Sequence, residues 1–148
     1  MTLPDDEFPK FHSDRLSFKL YACEQHLKNL KYMESRYAEL SSATAKTSLE
    51  IEIDSFLFQM IGTVDSLLFK INDRFRLGIP IDAIEIDKVQ SALSSQTKKI
   101  DLLADLDEAS QYGNWYWMIK QLRNYSLHES LISDQAIELV PHFKVDIN

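Results

Sequence analysis

Thr47 to Pro80 reads TSLEIEIDSFLFQMIGTVDSLLFKINDRFRLGIP, and this stretch decides the fold class. It opens on Thr47-Ser48-Leu49-Glu50, a capping-box pattern in which a hydroxyl and a carboxylate satisfy each other's orphan amides. Apolar residues then recur at Ile53, Phe56, Leu57, Met60, Ile61, Val64, Leu67, Leu68, Ile71 and Phe75. They fall on more than one side of a helix, so the helix is expected to lie centrally and to touch several neighbours. Gly78 and Pro80 close it, because glycine takes up left-handed backbone past a C-terminus and proline cannot continue a helix. The predicted helix therefore runs from Thr47 to about Leu77.

Upstream, Met1 to His12 read as an irregular arm. Ser13 or Asp14 can cap a first helix. Its apolar positions are Leu16, Leu20, Cys23, Leu27, Leu30, Met33, Tyr37 and Leu40. Steps of three and four put them on one stripe, with Lys28, Lys31 and Glu34 off it. Ser41 to Thr44 is a break.

Downstream, Asp82-Ala83-Ile84-Glu85 resembles another N-terminal cap. A third helix continues through Ile86, Val89 and Leu93, pauses at Ser94-Ser95, and resumes through Ile100, Leu103 and Leu106. Asp105 to Gly113 reads as an acidic turn region. A fourth helix covers Trp115 to about Leu131. From Ser133 the period changes: Ile137, Leu139, Phe143, Val145 and Ile147 alternate with polar residues, broken by Pro141. The expected architecture is all-α, an antiparallel four-helix bundle over residues 13–132, with a 133–148 tail that is extended or a short β-hairpin.

At 148 residues the chain is long enough to bury one core without staples. Only three glycines argue against a glycine-rich phosphate loop. A formal net charge of −7 fits poorly with coating nucleic acid through a broad basic surface. It still allows one local cationic cleft, and it suits docking of a basic partner. The single cysteine excludes an intrachain disulfide and favours a reducing compartment. With no apolar signal core or membrane-length apolar run, the expected location is cytoplasmic.

No nucleotide-loop, zinc-protease or calcium-loop pattern is present. Cys23 and His26 lie one turn apart, half of a metal site at most, and read as a buried thiol beside a surface histidine. His12 and His142 receive no role. Glu50, Glu52 and Asp54 read as an acidic helix start that complements the dipole. No metal or cofactor is expected.

The last strong helical segment carries Arg123-Asn124-Tyr125-Ser126-Leu127-His128. On a wheel, Trp115, Met118, Ile119, Leu122 and Ser126 form the expected core side. Asn124 and His128 share a face nearly opposite, together with Trp117, and Arg123 lies between the two sides. An outward tryptophan is either an ordinary exposed aromatic or a surface that a partner covers.

These six residues resemble the Arg-x4-6-His motif of the HEPN superfamily, small helical bundles with the motif on a late helix and often a polar residue, commonly Asn, after the arginine. The resemblance implies metal-independent endoribonuclease activity, frequently in toxins or phage-defence effectors that act as dimers. Arg123 would bind phosphate, His128 would be the acid/base and Asn124 would position. HEPN toxins controlled by tyrosine adenylylation carry a tyrosine two residues after the histidine; here Ser130 stands there, against that control. The family's accessory acid is open among Glu52, Asp54 and Asp65.

The chemistry is consistent with such a role. Metal-free RNA cleavage needs a base for the 2′-hydroxyl and an acid for the leaving 5′-oxygen, and histidine suits both. One motif supplies one histidine, so the expected partner is a second copy of the chain, with RNA as substrate and an antitoxin as a candidate regulator. The rival readings are a non-catalytic dimerisation or interaction module using Trp117, and a nucleotide sensor in which Arg123 binds a phosphate.

Overall fold

A computed structural model describes residues 13–36 and 42–128. The N-terminal arm, the segment from Tyr37 to Ser41, the side chains of Leu127 and His128, and the tail lie outside the described residues. Among the described residues there are five α-helices, one 3-10 turn and no strand. The helices are α1 (Arg15–Ser35), α2 (Ala43–Arg74), α3 (Ile86–Ser95), α4 (Asp101–Ala109) and α5 (Trp115–His128). None of them is long and apolar enough to cross a membrane. The chain divides into two compact units, with the boundary inside α2 between Ser66 and Leu67.

In the first unit α1 is capped by Asp14, whose carboxylate accepts from the Ser17 amide and hydroxyl. It lies antiparallel to α2. Lys19 near its start sits against Phe58 and Gly62, while Asn29, further along, bonds Glu52. Cys23, Leu57, Ile61 and Val64 are buried. The α1 stripe is rotated from the expected one. Leu20 and Leu27 are 54% and 41% exposed, while Lys19 and His26 are half-buried, their polar ends reaching partners on α2.

The start of α2 corrects the capping-box reading. The helix begins at Ala43, and Ser42 provides the cap, its hydroxyl accepting from the Ala45 amide at 3.2 Å. The Thr47 hydroxyl instead donates back to the Ala43 carbonyl at 2.9 Å. Along α2, Leu57, Ile61, Val64, Leu68 and Ile71 are buried at steps of four and three, and the other expected apolar positions, Ile53, Phe56, Met60, Leu67 and Phe75, are half-buried beside them. Ile51, Phe58 and Phe69 are about half exposed or more.

The end of α2 is a second correction. The Leu77 amide bonds the Asn72 carbonyl and the Arg76 amide bonds that of Asp73, a Schellman closure with Arg76 in left-handed backbone at φ 51°. The helix thus stops ahead of Gly78. Gly78, at φ 71°, serves the following turn, which the Asn72 side chain clamps by accepting from the Ile79 amide and donating to its carbonyl.

The second unit continues from there through the 3-10 turn Ile81–Ala83, where the cap-like Asp82 falls, and α3 starts after Glu85. The expected pause in the third helix is a full break. The Lys98 amide bonds the Leu93 carbonyl and the Thr97 amide that of Ser94, a second Schellman closure with Thr97 at φ 56°. Asp105 to Ala109, read from sequence as turn, are helical and complete α4; the turn is Ser110 to Asn114. α4 packs against both α3 and α5, over Val89, Leu93, Leu103, Leu106, Ala109 and Tyr116.

Candidate functional site

α5 emerges from a turn that Gly113 permits, at φ 84°. The Asn114 carboxamide donates to the Glu108 carbonyl at 2.5 Å, and the Asn114 carbonyl accepts from the Met118 amide as the helix begins. These bonds fix where the helix leaves α4.

The burial pattern corrects the expected core side. Tyr116 is the buried residue, at 5%, whereas Trp115 is 42% exposed with its ring 5.5 Å from that of Tyr116. Met118, Ile119, Leu122 and Ser126 of the expected core side are half-buried, so the correction concerns Trp115 and Tyr116 at the start of the helix. Lys120, one turn on, holds its ammonium 4.8 Å from the Tyr116 ring centre. Arg123 continues the same i, i+4, i+7 row and is half-buried.

On the other side Asn124 is exposed. Trp117, seven residues earlier on the same face, is half-buried, with its ring centre 4.5 Å from that of Tyr112 and tilted by 54°. His128 is the last described residue of α5, on the face of Asn124 by its helical position. The helix therefore holds Arg123 and Asn124 on adjoining faces, with an aromatic pair at one end and the histidine position at the other. α5 contains Lys120 and Arg123 and no acid, in contrast to α4, where Asp101, Asp105, Asp107 and Glu108 are all exposed.

A second constellation joins α1 and α2. His26 Nδ1 and a Glu52 carboxylate oxygen are 2.5 Å apart, and Asn29 Nδ2 donates to the same oxygen at 3.0 Å. This corrects the dipole reading of the acidic run. α2 has no acid in its first turn, and Glu52 is an inter-helix partner instead. Its spacing from His26 along the chain gave no local signal. Cys23 lies against the Thr63 hydroxyl at 3.5 Å. Nearby, burial chiefly, with the charge of Arg15, lowers the pKa of Lys19 below the usual lysine value. Among the described residues no three His, Cys, Asp or Glu side chains come together as a metal site.

A cavity of about 280 Å³ opens at the α3–α4 break over Leu93, Ile100 and Leu103, with Lys98 and Lys99 at its edge. None of the residues singled out on α5 lines it.

The described residues thus form helices and turns, and α5 carries Lys120 and Arg123 without an acid. No family model, curated protein or solved structure matches the chain.

Proposed function

We propose that this chain is a metal-independent endoribonuclease of HEPN type, built on a HEPN-like helical bundle and acting as a homodimer in toxin or defence function. What supports the reading is α5 itself: Arg123 and Asn124 stand on adjoining faces of one continuous helix that reaches His128 and carries no carboxylate. The fixed charge and planar fork of Arg123 suit a phosphate and the charge that develops on it. The imidazole of His128 takes the 2′-hydroxyl proton or returns one to the leaving 5′-oxygen. A single chain offers one such imidazole, and a second copy supplies the complementary role.

Incubation of the protein with RNA in EDTA tests this. Wild type cleaves, and His128→Ala abolishes cleavage while keeping the wild-type melting temperature. Intact RNA and tRNA with wild-type protein, with and without metal, would overturn the reading for those substrates.

Trp117 favours the second reading, a non-catalytic dimerisation module, because a half-buried tryptophan on the Asn124 face suits a protein interface. A dimer that survives Arg123→Ala and His128→Ala, with no nuclease activity in wild type, would select it.

A further inference from the structure

We propose that Tyr112 and Trp117 form a stacking platform for the bases of single-stranded RNA and feed the strand along α5 to Arg123 and His128. This deepens the ribonuclease reading and rests on it.

The two rings support each other. Their centres are 4.5 Å apart at 54°, so the half-buried indole is backed by the phenol and both are held in place. Tyr112 is 72% exposed. A nucleobase suits such a surface, since every base has a π-face and stacks irrespective of sequence. Duplex RNA keeps its bases stacked inside and cannot use it.

Position and charge select the same occupant. Trp117 and Asn124 share a face and are seven residues apart, about 10.5 Å along the helix axis. Asn124 can pair with a base edge through both its donor and its acceptor. A few nucleotides of extended strand span the distance from the aromatic pair to the end of α5. Lys120 and Arg123 lie on the neighbouring Tyr116 row, to one side of this face, and no acid of α5 opposes a phosphate chain, although the whole protein is acidic. The carboxylates of α4 are exposed on the side away from its buried Leu103, Leu106 and Ala109. They disfavour a phosphate chain running along α4.

The test uses fluorescence anisotropy of a short 2′-O-methyl RNA, which lacks the attacking hydroxyl and stays intact. Three probes are compared: the single strand, the same strand annealed to its complement, and an abasic strand of equal length. The single strand binds best. Tyr112→Ala and Trp117→Leu each weaken its binding about tenfold. Trp117→Phe, which keeps a ring, retains most of the affinity, and circular dichroism melts confirm that each variant is folded.

Equal affinity for the abasic and base-bearing strands would overturn the platform, as would unchanged binding by Trp117→Leu and Tyr112→Ala. Self-association lost in Trp117→Leu with strand binding intact would overturn it too, in favour of a protein interface. The two readings fail separately. Base-dependent binding without cleavage of the matching unmodified RNA keeps the platform and removes the ribonuclease. Cleavage that Tyr112→Ala and Trp117→Leu leave untouched keeps the ribonuclease and removes the platform.

Discussion

The Nδ1 of His26 and a carboxylate oxygen of Glu52 sit 2.5 Å apart across the α1–α2 contact, and Asn29 donates to the same oxygen. Both side chains of the pair are mostly shielded, 25% and 15% exposed. A charged acceptor satisfied from two residues of the facing helix is costly to orphan. Glu52→Ala is expected to destabilise by about 2 kcal/mol. A double-mutant cycle of His26→Ala and Glu52→Ala by urea unfolding should return a coupling of about 1 kcal/mol. Simple additivity of the two changes would show that the pair contributes nothing to holding α1 on α2.

Gly62 is the point where Lys19 crosses α2. A Cβ at Gly62 would meet the Lys19 side-chain end at 3.1 Å. That neighbour is the flexible end of a long chain, and it also holds its ammonium 4.5 Å from the Phe58 ring centre. Alanine in a helix interior is worth about 1 kcal/mol over glycine. Gly62→Ala alone is therefore expected to gain only a few tenths of a kcal/mol, because displacing Lys19 offsets the rest. In a Lys19→Ala background the gain should approach the full helix-propensity value. Thermal melts of the four proteins measure the difference; equal gains in both backgrounds would remove the Lys19 contact as its cause.

Thr97 closes α3 in left-handed backbone at φ 56°. A β-branched residue is a poor occupant of that region, where glycine has no steric cost. Thr97→Gly is expected to stabilise by about 0.5 kcal/mol, the steric relief exceeding the added chain entropy. Thr97→Val should lose stability, since it keeps the branch and removes the hydroxyl bond to the Gln96 carbonyl at 2.6 Å. A midpoint in urea that moves the same way for both substitutions would mean that backbone strain is not what limits this turn.

The same turns show where sequence pattern informs and where it does not. Helical periodicity gave the all-α class and the positions of most helices, because burial repeats every three or four residues. Ends were less legible. Arg76 and Thr97 make Schellman closures without a glycine, while Gly78 and the Thr47–Glu50 box, the stronger local signals, lie away from the helix termini. The Asn72 side chain reaches Ile79 seven residues on, and Gln96 reaches the Phe75 carbonyl from the other turn; neither bond is written in the glycine and capping patterns that mark helix ends. On α5 the apolar count pointed at Trp115, yet Tyr116 is inward: three consecutive aromatics give no periodic signal from which to choose. The role of Glu52 is illegible for a related reason, since its partner is 26 residues away.

Arg123 offers the sharpest separation of structure from chemistry on α5. It is half-buried on the row of Tyr116 and Lys120, so its stem can pack while its head reaches solvent. If it binds the scissile phosphate, the planar fork matters as well as the charge, and lysine is a poor substitute. Arg123→Lys is then expected to cut RNA cleavage at least tenfold, and Arg123→Ala about a hundredfold, the scale of losing one donor to developing charge. Neither should shift the melting temperature by more than a few degrees. The competing outcome is a large fall in melting temperature for Arg123→Ala with cleavage by Arg123→Lys unchanged. That would make Arg123 a packing residue and would leave the phosphate of any RNA substrate to Lys120 or to His128 itself.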